Sequence, residues 1–185
     1  MDHTDSTIFS ISSLNAASAP VAATLLEPVI EGAPWLASRV AAARPFIDVP
    51  DLARRIDAVI AGLARAEKLA FLQGHPELAP AAPEKMTAAS RQEQGRLDLA
   101  RPSADVAAEL AELNRRYRAR HGFPFIIALS ARKDLDSVIA QFLPSLEADT
   151  ASEIDRALSE VALVVRARLA RLTGAEAGVH GTAET

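Results

Sequence analysis

His75 sits between a glycine and a proline, Gly74-His75-Pro76, where a helical pattern stops. An imidazole exchanges protons near neutrality, and the proline fixes the backbone just after it, which limits where the side chain can aim. That suits proton transfer. Taken alone, a surface histidine at an ordinary turn is the commoner reading, because the helix dipole favours histidine at helix ends. A second group is Ser90-Arg91-Gln92-Glu93-Gln94. On a helix, Ser90 neighbours Glu93 at i,i+3 and Gln94 at i,i+4, so one face offers a hydroxyl, a carboxylate and an amide to a ligand rich in amide or urea groups. A solvated helix face would have the same composition. The third, Phe123 to Ala128, is apolar and holds Pro124. Irregular backbone there leaves N–H and C=O groups that need partners, supplied by a planar polar ligand or by neighbouring helices. Last come Arg166, Arg168 and Arg171, of which Arg168 is flanked by apolar positions. A guanidinium can grip a carboxylate with two bonds, although basic residues late in a helix also complement its dipole.

Other chemistries find no support. There is no zinc-type histidine pair, phosphate-binding glycine loop or serine-triad signature. The chain has no cysteine, which removes disulfides, thiolate metal sites and cysteine nucleophiles, and with them the usual mark of an oxidising compartment. The net charge of -4 comes from 20 basic and 24 acidic residues, without the concentrated basic patch of a nucleic-acid binder. No stretch has the length and apolarity of a membrane span. The first ten residues lack the basic-then-apolar order of a signal peptide, and Thr182-Ala183-Glu184-Thr185 is not a peroxisomal address. The simplest expectation is a cytoplasmic protein.

The elements that must position these residues read as helices. At 185 residues the chain suits a single domain with an unstapled core. Hydrophobic residues make up 49% but aromatics only 4%, so the core is Leu, Val, Ile and Ala. Alanine and leucine favour helix, and runs of strand-forming residues are nearly absent. The expected fold is all-α, a helical bundle over 13–173 between flexible tails, 1–12 and 174–185. Short helices are expected between Asn15 and Glu27, interrupted by Pro20, and another from Pro34 to Ala43. A longer one should run from Pro50 towards Leu72 and stop at Gly74. Thr87 to Asp98, Ser103 to about Arg120, Asp134 to about Leu143, and Thr150 or Ser152 to Gly174 complete the set.

In order and combination these segments resemble the OHCU decarboxylase family, which acts on 2-oxo-4-hydroxy-4-carboxy-5-ureidoimidazoline. The resemblance begins at Leu14-Asn15 and Glu31-Gly32-Ala33-Pro34-Trp35. It continues through Arg44-Pro45-Phe46, His75-Pro76 and Ser90-x-x-Glu93-Gln94. It is strongest from Leu113-Asn114-x-x-Tyr117 to Gly122-Phe123-Pro124-Phe125-Ile126-Ile127, and closes at Glu160-Val161 and Arg168-Leu169. The sequence departs from the family pattern at His121, Gly95-Arg96-Leu97, Pro144-Ser145 and Leu163-Val164-Val165.

The resemblance implies a helical, commonly homodimeric enzyme that needs no cofactor and forms (S)-allantoin downstream of a hydroxyisourate hydrolase. It implies that His75 and Glu93 are catalytic, with Glu93 orienting His75 and favouring its charged form. For the substrate it implies Pro76, Ser90, Arg91, Gln92, Gln94, the backbone of Phe125, Ile126, Ile127, Ala128 and Leu129, and Arg168, with Arg166 as the alternative arginine. The substrate would supply its own electron sink, a ring C=N beside the carbon that loses CO2, which accounts for the lack of any cofactor motif. A decarboxylase for another ureido or hydantoin-like acid, or a helical binding module without activity, would share much of this pattern.

Overall fold

The computed structural model describes residues 9–174. The segment from 175 onward, most of the expected C-terminal tail, and the first eight residues lie outside the described residues. Among the described residues the chain forms nine α-helices and no strand. Helix α1 (Ile11–Ala16) begins after Ser10, whose side chain accepts from the Ser13 N–H, and Phe9 ahead of it is buried. The folded domain therefore starts before the expected boundary at 12. In α2 (Ala19–Leu26), Pro20 sits in the first turn rather than interrupting the helix, where its missing N–H costs nothing.

Helix α3 (Pro34–Ala42) leads to α4 (Val49–Ala61), capped by Asp48. The single helix expected from Pro50 to Leu72 is two. Gly62 closes α4, Leu63 turns into the core, and the Glu67 side chain accepts from the Ala64 N–H at 2.9 Å to start α5 (Arg65–Gln73). Helix α6 (Ala88–Gly95) starts at a Thr87 cap and ends short of Asp98, which takes a left-handed turn at φ +56°. Helix α7 (Ala104–His121) ends at Gly122, φ +81°. Helix α8 (Leu135–Glu147) passes through Pro144, beyond the expected end at Leu143. The Pro144 carbonyl accepts from the Ala148 N–H, and the last turn buries Ser145 and Leu146. Asp149 caps α9 (Thr150–Leu172).

Helix α9 is the central post. It packs against α4, α5, α7 and the short 3-10 turn Leu129–Ala131, while α2 lies on α3 and α7 on α8. Its stripe of Ile154, Ala157, Val161, Val165 and Leu169 is buried at helical spacing. Four of the few aromatics, Tyr117, Phe123, Phe125 and Phe142, gather beside it. Phe125 stacks on Phe142 with centroids 3.9 Å apart, and Tyr117 meets both rings edge-on. The Tyr117 hydroxyl donates to Glu153 at 2.6 Å; burial and then that bond push its pKa well up, so it stays a donor.

Gly32 and Gly74 touch back to back. A Cβ on Gly32, at φ +71°, would stand 2.4 Å from the Gly74 carbonyl oxygen, and one on Gly74 would stand 2.7 Å from that of Gly32. Only glycines permit this approach, and it places Glu31 beside His75 across two segments far apart in sequence.

Candidate active site

His75 follows the end of α5. Its Nδ1 lies 3.1 Å from the Phe71 carbonyl oxygen, one helical turn back, and the ring meets the Phe71 ring edge-on at 5.0 Å. A carbonyl can only accept, so Nδ1 carries the proton and Nε2 the lone pair. Nε2 has no partner among the described residues. Burial lowers the imidazole pKa below the ordinary histidine value. The nearby Glu31 carboxylate and the Phe71 carbonyl pull it up, Arg168 pushes it down, and burial prevails. Burial thus favours the neutral form of the ring.

A buried ion network stands next to it. Arg168 Nη2 donates to Glu31 Oε2 at 2.8 Å, to Glu93 Oε2 at 2.7 Å and to Ser90 Oγ at 3.2 Å, and Arg168 Nε donates to Glu93 Oε1 at 2.8 Å. Arg171 Nη2 donates to Glu93 Oε1 at 2.7 Å. Glu31 also accepts from the hydroxyls of Ser90 and Thr87, each at 2.5 Å. Burial pushes the Glu31 carboxyl up, but Arg168 and the two hydroxyls together hold it below the usual carboxylate value. Burial likewise works against the charge on Arg168, and its two carboxylates outweigh this, so it stays charged.

His75, Glu31, Ser90, Glu93 and Arg168, together with Pro76, Leu78, Gln94, Phe125, Ile126, Ile127, Leu129 and Val164, line a cavity of about 50 Å³. Glu31, His75 and Pro76 also form the wall of an outer hollow of about 520 Å³ that Gly74, Lys85 and Arg118 border.

Which groups remain for a ligand follows from counting bonds. The Ser90 hydroxyl proton goes to Glu31. Gln94 spends its amide on the loop after His75, accepting from Ala79 N–H and donating to the Glu77 carbonyl, both at 2.8 Å. The polar groups in the cavity wall that keep no partner among the described residues include His75 Nε2, Arg168 Nη1, and the N–H and C=O of Ile127.

The structure thus gathers His75, Pro76, Ser90, Glu93, Gln94, Phe125, Ile126, Ile127, Leu129 and Arg168 around one cavity. It does not bring Arg91, Gln92 or Ala128 there. Arg91 donates to the Glu84 and Met86 carbonyls, Gln92 accepts from Arg171, and the Ala128 N–H donates to Glu160. Arg166 pairs with Asp57 at the surface, so Arg168 is the arginine of the pocket. Glu93 is bonded to Arg168 and Arg171 and not to His75, and burial moves the His75 pKa down, opposite to the direction expected from such a pairing. The carboxylate whose charge raises the His75 pKa is that of Glu31. Residue types alone did not mark it as a site residue; its sequence signal was its place at the head of the Glu31-Gly32-Ala33-Pro34-Trp35 segment.

Residues 15–170 match the family model described as OHCU decarboxylase. A mouse 2-oxo-4-hydroxy-4-carboxy-5-ureidoimidazoline decarboxylase is 34% identical over 149 residues, which cover 80% of this chain and 83% of its own length. The uric acid degradation bifunctional protein PucL of Bacillus subtilis is 30% identical over 88% of this chain and 32% of its own length. Among solved structures, one described as OHCU decarboxylase in the presence of (S)-allantoin superposes with a TM-score of 0.65 at 20% identity, covering 80% of this chain and 96% of that one.

Proposed function

Because the chain belongs to the OHCU decarboxylase family, we propose that its cavity removes CO2 from OHCU with His75 as the proton carrier and Arg168 as the anion-binding group. The enzyme is a carboxy-lyase of urate breakdown whose product is (S)-allantoin.

The substrate bears a carboxylate and a hydroxyl on one ring carbon, next to a C=N bond. Breaking the bond to the carboxylate releases CO2. Its electron pair forms a C=C bond to the neighbouring carbon while the imine π pair moves to nitrogen, which takes a proton. The hydroxyl then loses its proton as C=O forms, and the neighbouring carbon gains one. Neutral His75 suits the last exchange: Nε2 takes the hydroxyl proton and returns it to carbon on the face it occupies, which sets the (S) configuration. A base at this step must be unprotonated at rest, and burial keeps His75 so. Arg168 Nη1 binds a substrate carboxylate or carbonyl oxygen, and Ile127 reads the ureido or ring amide. Ser90, Glu93 and Gln94 hold Arg168 and the loop after His75 in place, which is positioning work. The phenyl ring of Phe125 and the side chains of Pro76 and Leu129 form apolar walls.

One observation carries this reading: the Phe71 carbonyl fixes the His75 tautomer so that a lone pair remains at Nε2, in a wall shared with the unpaired corner of Arg168. The proposal extends to a cytoplasmic homodimer supplied by a hydroxyisourate hydrolase. The bifunctional urate-degrading relative, part of which resembles this chain, supports the pathway link. The test is circular dichroism of a reaction started from urate with uricase and hydroxyisourate hydrolase. Rapid formation of optically active (S)-allantoin with this protein, lost in a folded His75→Ala, is expected. Slow racemic product in both cases would refute it.

A further inference from the structure

Residues 124–128, between α7 and the 129–131 turn, belong to no helix or strand, so no regular ladder dictates where their peptide groups face. Two side chains on α9, one helical turn apart, do this instead. Arg156 Nη1 donates to the Ile126 carbonyl at 3.0 Å, and Glu160 Oε2 accepts from the Ala128 N–H at 2.8 Å. In a trans peptide the C=O and N–H point in opposite directions, and the one cis bond among the described residues is Arg44-Pro45. With the Ile126 C=O drawn to Arg156, the Ile127 N–H of the same peptide points away from it. With the Ala128 N–H drawn to Glu160, the Ile127 C=O points away as well. Ile127 thus presents a donor and an acceptor side by side, the edge one extended strand offers another, and Ile127 lines the cavity.

The bracing behind this clamp is polar and mostly buried. Glu160 Oε1 accepts from Arg132 Nη2 at 2.5 Å. Arg156 Nε pairs with Glu153 at 2.9 Å, and its guanidinium lies 4.7 Å from the Phe125 ring centroid. Neither Arg156 nor Glu160 lines the cavity. Burying charges is costly, and apolar residues would fill the same space at less cost, but they could not orient two peptide groups. The placement therefore suits the direction of the backbone rather than its packing alone.

We propose that Arg156 and Glu160 are positioning residues for substrate: they hold the Ile127 peptide pair towards the cavity, where it binds an N–H and a C=O on one edge of a ureido or ring-lactam group. This rests on the decarboxylase reading.

The test measures (S)-allantoin binding by calorimetry and KM and kcat for OHCU, in the wild type, Glu160→Ala and Glu160→Gln. Glu160→Gln keeps an acceptor for the Ala128 N–H and should stay within about threefold of the wild-type Kd. Glu160→Ala should weaken binding about tenfold, the worth of one or two neutral hydrogen bonds, with KM rising more than kcat falls. Amide exchange followed by NMR in the wild type gives a readout independent of any variant's folding. The Ala128 amide should be protected with or without ligand, and the Ile127 amide only when (S)-allantoin is bound. A folded Glu160→Ala that binds like the wild type, or an Ile127 amide indifferent to saturating ligand, would overturn the clamp. A wild type that makes no (S)-allantoin would instead overturn the decarboxylase reading on which it rests.

Discussion

At His75 the sign of the pKa shift sets the shape of the pH profile. Burial keeps the folded-state value below that of the unfolded chain. As pH falls, the unfolded chain therefore binds the proton first. The stability from this residue is complete above the ordinary value of about 6.5 and drains as pH drops through it towards the lowered folded value. If neutral His75 is the base, the acid limb of kcat/KM lies below about 6.5 as well. The same geometry separates the two carboxylates. The charge of Glu31 raises the His75 pKa, so Glu31→Gln should move the acid limb to lower pH. Glu93 is committed to Arg168 and Arg171, so Glu93→Gln should lower kcat and leave the limb in place. Rate profiles of both variants check this; a limb that moves with Glu93 alone would restore the pairing with His75 that the sequence suggests. The pairing of Glu93 with Arg168 and Arg171 was illegible: i,i+3 spacing places Glu93 on the same face of α6 as Ser90, but which cation meets it there depends on α9, remote in sequence.

Among the elements, the meeting of Gly32 with Gly74 brings Glu31 to His75, and it carries a sharp prediction. Gly74→Ala should cost about 1–3 kcal/mol through overpacking, because its Cβ would press on the Gly32 carbonyl. Turnover should fall further than this implies, since relief of the clash separates Glu31 from His75. Gly122→Ala is the control. It has open space around the Cβ but a positive φ, so it should cost about 1 kcal/mol in urea unfolding and leave kcat unchanged. Helices were the legible part of the sequence: the periods of α7 and α9 and the caps at Ser103 and Asp134 all announce themselves. The break between α4 and α5 did not, because Gly62 sits inside a continuous apolar period and only the burial of Leu63 turns it into a corner. The extension of α8 past Pro144 was hidden for the opposite reason, since tertiary burial of Ser145 and Leu146 overrides a local helix breaker.

Across the whole molecule, Arg168 joins the Glu31 turn, α6 and α9 through a single guanidinium that is 4% exposed. Removing its charge leaves two carboxylates without their main partner. Arg168→Met should therefore destabilise the fold by about 3–5 kcal/mol, as breaking a buried pair from one side does, and should abolish (S)-allantoin binding. Urea unfolding and calorimetry measure the two losses, and a variant of wild-type stability would remove Arg168 from this structural role. The inward setting of Arg168 was legible from its apolar neighbours; its joining of three segments was not, because nothing local encodes contacts of such range. The bond from Arg168 to Glu31 spans 137 positions of the chain. Local contacts form early during folding, whereas distant ones wait for long loops to close. A refolding chain should thus regain most of its helical signal before it regains turnover, passing through a helical but inert state.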